Sequence, residues 1–96
     1  MSEAAPITEE ANLRLAPGVM LRQDRTRGSW VLMAPERVLV LDEIALEVVR
    51  ACAQGKASVS EGIDALSQSF DAPRSDITSD VLDLLTDLRN RGFLVS

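Results

Sequence analysis

Apolar residues alternate along the first third of the chain and then recur at helical spacing, and the change of period falls at Asp42. Before it, Val19 and Leu21 alternate with Met20 and Arg22, which predicts a strand over residues 19–24 opened by the breaker Pro17-Gly18. A polar loop, Asp24-Arg-Thr-Arg-Gly28, has hairpin length. In a second strand over residues 29–34, Trp30 and Leu32 point one way and Val31 and Met33 the other. Ala34-Pro35-Glu36-Arg37 fits a type I turn with Pro at its second position. It leads to a third strand over residues 38–41 that is apolar on both faces. Short strands with tight links predict an antiparallel meander.

After Asp42, a good helix cap, the stripe Ile44, Ala45, Val48, Val49 and Cys52 predicts a helix to about Ala53, stopped at Gly55. Ser58-x-x-Glu61 is a capping box for a second helix, with Val59, Ile63, Leu66 and Phe70 as its apolar stripe and Asp71-Ala-Pro73 as its break. A third helix starts near Ser75, carries Ile77, Val81, Leu84, Leu85 and Leu88 inward, and ends at Gly92. Phe93-Leu-Val95 then has room for a short final strand. The predicted fold class is α+β: an N-terminal three-stranded antiparallel sheet followed by a three-helix bundle, the element content of a winged helix-turn-helix with its sheet placed first. At 96 residues the chain reads as one domain over residues 13–96. Residues 1–12, polar and acidic with Pro6, are expected to form a disordered tail or a linker to a fused partner.

Composition narrows the chemistry. The chain has no His and no Tyr, and its single cysteine, Cys52, sits at a helical apolar position that predicts a buried, inert thiol. Serines therefore lack an imidazole base, Gly28, Gly55 and Gly92 are isolated turn glycines, and no catalytic set, metal site or cofactor is expected. Apolar runs fall short of the roughly 20 residues that cross a bilayer, and the N-terminus has no signal-peptide pattern, so a cytoplasmic chain is expected. The net charge of −5 argues against nucleic-acid binding. Nine of the ten cations are arginine, which favours forked contacts with carboxylates and hence acidic or peptide partners.

Two surfaces stand out. The strand over residues 38–41 comes last in the meander and so tends to lie at an edge, where unpaired N–H and C=O groups await a peptide, a second copy of the chain, or nothing at all. On the third helix, Leu82 lies off the core stripe beside Leu85 and Arg89, with Thr78 on the same flank, as one wall of a groove or as an ordinary surface. Asp76, Asp80, Asp83 and Asp87 form a separate stripe at about 100° per residue. That stripe opposes DNA phosphates and reads as a solvated face or as a contact for a basic partner.

The stretch Arg37-Val-Leu-Val-Leu-Asp-Glu-Ile-Ala-Leu-Glu-Val-Val and the ending Val81-Leu-Asp-Leu-Leu-Thr-Asp-Leu-Arg-Asn-Arg-Gly-Phe-Leu-Val resemble the pyrroloquinoline quinone biosynthesis protein D family. Pro17-Gly18-Val19 and Trp30 add to the resemblance, which covers about residues 13–96. It implies a non-catalytic peptide chaperone and recognition element, which binds the ribosomally made precursor peptide of the quinone and presents it to a radical S-adenosylmethionine enzyme for Glu–Tyr cross-linking. It also implies that the peptide adds as a strand to the third strand, against the third helix. Carried onto this chain, the peptide contacts are Val38, Leu39, Val40, Leu41, Thr78, Val81, Leu82, Leu85 and Arg89. With an arginine at each wall of that groove in an acidic chain, Arg89 or Arg37 is expected to hold an acidic group of the peptide. The Asp stripe is then the expected enzyme contact. A monomer is expected, with a dimer open. The rival readings are a winged-helix DNA-binding regulator and a dimerisation module without a ligand.

Overall fold

The computed structural model describes residues 6–96. The elements in chain order are β1 (Arg14–Leu15), β2 (Met20–Asp24), β3 (Ser29–Ala34), β4 (Arg37–Leu41), α1 (Glu43–Cys52), α2 (Val59–Ser69), α3 (Arg74–Asn90) and β5 (Leu94–Val95). β2, β3 and β4 form the three-stranded antiparallel meander, and the three helices follow it, as the pattern predicts. The third strand of the predicted meander is β4.

Local chemistry explains the helix starts. The Ala45 N–H donates to the Asp42 carboxylate at 2.7 Å, which satisfies one of the orphan donors of the first turn of α1. At α2 the capping box is complete: the Glu61 N–H donates to Ser58 Oγ at 3.2 Å and the Ser58 N–H donates to Glu61 Oε1 at 2.9 Å. α3 has no side-chain cap and begins behind Pro73, whose fixed φ of −60° leads into the first turn.

The core lies between the inner face of the meander and the helices. Leu32, Leu41, Val49, Ile63, Val81, Leu85 and Leu88 belong to it, and among the described residues it contains no buried polar or charged side chain. Each fully buried aliphatic contributes roughly 1.5–3 kcal/mol, so this cluster is the main stabilising element of a small domain.

Two sequence expectations need correction. Ile44 was expected on the core stripe of α1, yet it is 64% exposed and Leu46 is buried instead. Val48 and Cys52 pack on one side of α1 and Leu46, Val49 and Ala53 on the other. The helix is thus buried along a broad arc between sheet and helices, and its first turn projects beyond it. Residues 1–12 were expected to be a disordered tail or a linker. Ile7 is instead part of the core, the Ser60 N–H donates to the Glu9 carbonyl at 2.7 Å, and the Val59 N–H donates to the Ala11 carbonyl at 2.8 Å. The segment satisfies donors of the first turn of α2, a partner that composition does not reveal. Residues 1–5 of the expected tail lie outside the described residues. Finally, the end of the chain does form a strand, but it pairs with the unforeseen β1, with Arg14 opposite Val95 and Leu15 opposite Leu94.

Candidate functional site: a free strand edge beside an apolar cavity

Among the described residues β4 pairs only with β3, through Trp30–Leu41, Val31–Val40, Leu32–Leu39, Met33–Val38 and Ala34–Arg37. Its other edge is unpaired in the three-stranded sheet, so its outward-facing N–H and C=O groups are open to an added strand. The alternation of β4 sends Leu41 into the core and leaves Leu39 half-buried, while Val38 and Val40 face solvent.

Three residues past the end of β4, Ile44 stands at the mouth of an apolar cavity of about 240 Å³ where the three helices meet. Val48 of α1, Leu66 and Phe70 at the end of α2, and Ile77, Val81 and Leu84 of α3 complete its walls, with Asp80 as its only charged lining residue. Ile44 and Phe70 are exposed large hydrophobics, and Ile77 and Leu84 are half-buried. An apolar pocket with one carboxylate at its rim suits an aliphatic or aromatic side chain.

The other end of β4 is tied to the far end of α3. The Arg37 guanidinium donates to the Arg91 carbonyl and lies over the Phe93 ring, 4.8 Å from its centroid. Gly92, with φ of +89°, lets the chain turn there, and a Cβ on it would stand 3.1 Å from the Arg37 guanidinium.

The structure divides the sequence-derived site residues. Arg37, Val38, Leu39, Val40 and Leu41 form the edge strand itself. Val81 lines the cavity but is buried, and Leu85 is fully buried in the core. Thr78, Leu82 and Arg89 fall roughly 120–160° around α3 from Leu84 at about 100° per residue, and none of them lines the cavity. The Thr78 hydroxyl donates back to the Arg74 carbonyl at 2.8 Å, Leu82 packs half-buried on the core, and Arg89 Nη2 donates to Asn90 Oδ1 at 3.3 Å. Ile44, Phe70, Ile77 and Leu84 were not assigned to a site from sequence. The signal for Ile44 was available, because an apolar residue in a first turn has little opposite it to bury against. The Asp stripe is not uniform either: Asp80 lines the cavity, Asp87 pairs with Arg91 at 3.2 Å, and Asp76 and Asp83 are exposed.

Titratable groups give no reactive centre. Burial pushes the Cys52 thiol up to about 11, which leaves it protonated and unreactive at neutral pH. Arg74 is held charged by hydrogen bonds to Glu9 and Asp64, both at 2.7 Å, and staples the N-terminal segment and α2 to the start of α3. Among the described residues no group of three or more His, Cys, Asp or Glu could hold a metal ion, and no helix is long and apolar enough to cross a membrane.

The signature of the family of coenzyme PQQ synthesis protein D (PqqD) matches residues 29–94, which takes in β3 through the first residue of β5. The chain belongs to this family. Relatives named PqqA binding protein include one from Rhodopseudomonas palustris strain HaA2, 42% identical over 92% of this chain and 85% of its own length. Another, from Xanthomonas oryzae pv. oryzae, is 44% identical over 92% and 95%. Among solved structures, the PqqD part of Methylobacterium extorquens PqqCD superposes with a TM-score of 0.76 at 33% identity, covering 94% of this chain and 95% of that one. It is described as a functional, stand-alone recognition element for ribosomally synthesised and post-translationally modified peptides. PqqD from Xanthomonas campestris gives a TM-score of 0.53 at 41% identity, covering 88% and 93%. The family match spans β4, α1, α2 and α3, the elements that build the free edge and the cavity.

Proposed function

We propose that this chain is a peptide-recognition element that binds the ribosomally made precursor peptide of pyrroloquinoline quinone and presents it to a radical S-adenosylmethionine enzyme for Glu–Tyr cross-linking. The observation that carries the reading is the unpaired edge of β4 ending beside an apolar cavity. An extended peptide laid on that edge gains main-chain hydrogen bonds along β4, and one of its apolar side chains enters the cavity among Ile44, Phe70, Ile77 and Leu84. Backbone bonds supply affinity without regard to sequence, and the cavity supplies register. Relatives named for PqqA binding, and a fold neighbour described as a recognition element, support the same role. So does the absence of His and Tyr from the sequence, which suits holding a substrate rather than converting it.

In this reading Arg37 to Leu41 form the docking strand, and the cavity wall of α3 replaces the flank of Thr78, Leu82 and Arg89 as its companion. The test is an amide chemical-shift map during titration with the precursor peptide. The largest changes are expected in β4 and around Ile44 and Leu84. β2 is the opposite edge of the same sheet, so dominant changes in Met20–Asp24 would overturn the assignment.

A further inference from the structure

The two faces of the meander differ in what they meet. Leu21, Leu32 and Leu39 form one cross-strand row toward the helices, and Gln23, Trp30 and Leu41 form another. On the opposite face the rows are Met20, Met33, Val38 and Arg22, Val31, Val40. An antiparallel sheet with one face in water alternates polar residues outward. Here five of the six outward positions are apolar: Met20 is 51%, Met33 38%, Val38 59% and Val40 56% exposed, and Val31 is buried among them. The four exposed ones belong to the six exposed large hydrophobics among the described residues; the other two, Ile44 and Phe70, line the cavity.

The charge around this face is also distinct. Arg22 stands in the second row, and Arg25 lines the depression that Val31, Met33 and Val38 share. Among the described residues neither arginine forms an ion pair. The nearby carboxylate of Asp24 is engaged by its own turn, accepting from the Thr26 N–H at 3.0 Å and the Arg27 N–H at 3.4 Å. Over residues 20–36 three arginines, Arg22, Arg25 and Arg27, stand against Asp24 and Glu36, in a chain whose net charge is −5, while Arg37 turns to the other side onto Phe93. The outer face and its hairpin therefore carry a net positive charge on an acidic protein.

We propose that the outer face of β2, β3 and β4 is a docking surface for a folded protein whose own patch is apolar at its centre and rimmed with carboxylates. A sheet face has no unpaired backbone groups, so side chains alone recognise the partner. That suits a folded surface rather than an extended peptide. Two methionines give the patch adaptable, polarisable contacts. A two-fold pairing of copies would bring two faces of the same net positive charge together, which disfavours the second copy as occupant. The face also lies across the sheet from the hydrogen-bonding direction of β4, so a strand on the edge and a protein on the face can be bound together. The identity of the partner rests on the presenting role proposed above: it is the enzyme that modifies the peptide, and the sheet face takes the place of the Asp stripe as its contact.

The test uses the full chain, the precursor peptide and the purified radical enzyme. Arg22→Glu and Met33→Asp, both at exposed positions, are each compared with wild type. Each variant is expected to bind the enzyme at least tenfold more weakly while its peptide affinity stays within twofold, and the wild-type complex is expected to weaken as salt rises. Wild-type enzyme affinity in both variants overturns the surface alone and leaves peptide recognition standing. A wild-type chain that binds neither peptide nor enzyme overturns the presenting role and this surface together. Self-association of the wild type in sedimentation velocity, abolished by the same substitutions, assigns the face to a second copy and overturns the proposal.

Discussion

Arg37, the first residue of β4, covers the ring of Phe93, which follows the end of α3, with 4.8 Å between guanidinium carbon and ring centroid. The same guanidinium donates to the Arg91 carbonyl, one of the groups that a helix C-terminus leaves without an intrahelical partner. A cation there also meets the negative end of the helix dipole. The contact joins the free edge strand to α3 at one end, and the cavity by Ile44 lies toward the other. From sequence, Arg89 or Arg37 was expected to hold an acidic group of the peptide; in the structure the Arg37 fork is engaged within the fold.

Arg37 is therefore expected to act by position. Arg37→Ala should cost about 1 kcal/mol in urea unfolding, the scale of an exposed cation–π contact plus one hydrogen bond. Arg37→Lys should recover only part, because an ammonium lacks the fork. Peptide affinity should fall equally in Arg37→Ala and Arg37→Glu. A tenfold greater loss in the Glu variant would instead indicate a direct ion pair with the peptide.

The two flanks of α3 should separate in binding. Leu84→Ala removes a wall of the cavity and is expected to weaken peptide binding several-fold by calorimetry. Leu82→Ala, on the other side of the buried seam, should leave the affinity within twofold. If Leu82→Ala is the more damaging of the two, the peptide runs along the flank first read from sequence.

Gly62 should resist the replacement that helix propensity favours. Alanine is the better helix former by about 1 kcal/mol, but a Cβ at Gly62 would run into Cys52 Sγ and stand 2.6 Å from the Ala51 carbonyl oxygen. α1 and α2 meet through this gap, so Gly62→Ala is expected to lose about 1–3 kcal/mol through overpacking. A thermal midpoint equal to or above wild type would show that the two helices can move apart freely.

Cys52 gives a prediction in alkaline solution. Its folded pKa is raised from 9.0 to about 11, so between these values the unfolded chain sheds the thiol proton and the folded one keeps it. The unfolded state then binds fewer protons, and stability falls as pH rises across that window, by at most about 1.4 kcal/mol per pH unit. Urea unfolding at pH 8, 9 and 10 should show this fall in wild type and a shallower one in Cys52→Ala. Equal slopes would remove Cys52 as its source.

Local chemistry was decided by the sequence. Asp42 and the Ser58–Glu61 pair cap their helices with side chains three residues from the groups they satisfy, and β3 covers the residues that the alternation around Trp30 marks out. The two-faced apolar pattern of residues 38–41 likewise marked the edge strand, because such a strand can cover only one of its faces within a small domain. What the pattern could not decide depends on partners far away in the chain. β1 and β5 join residues near the two ends, and Ile7 is buried because the segment around Glu9 meets α2 and Arg74. On α3 the sequence placed Leu84 in the core stripe and Leu82 beside it, yet both are half-buried at the margins of the buried seam. Only the packing of α1 and α2 against α3 turns Leu84 toward the cavity by Ile44 and leaves Leu82 on the other flank. A helical stripe fixes which residues face inward, but the side of that stripe that meets a neighbour is set by where the neighbour sits.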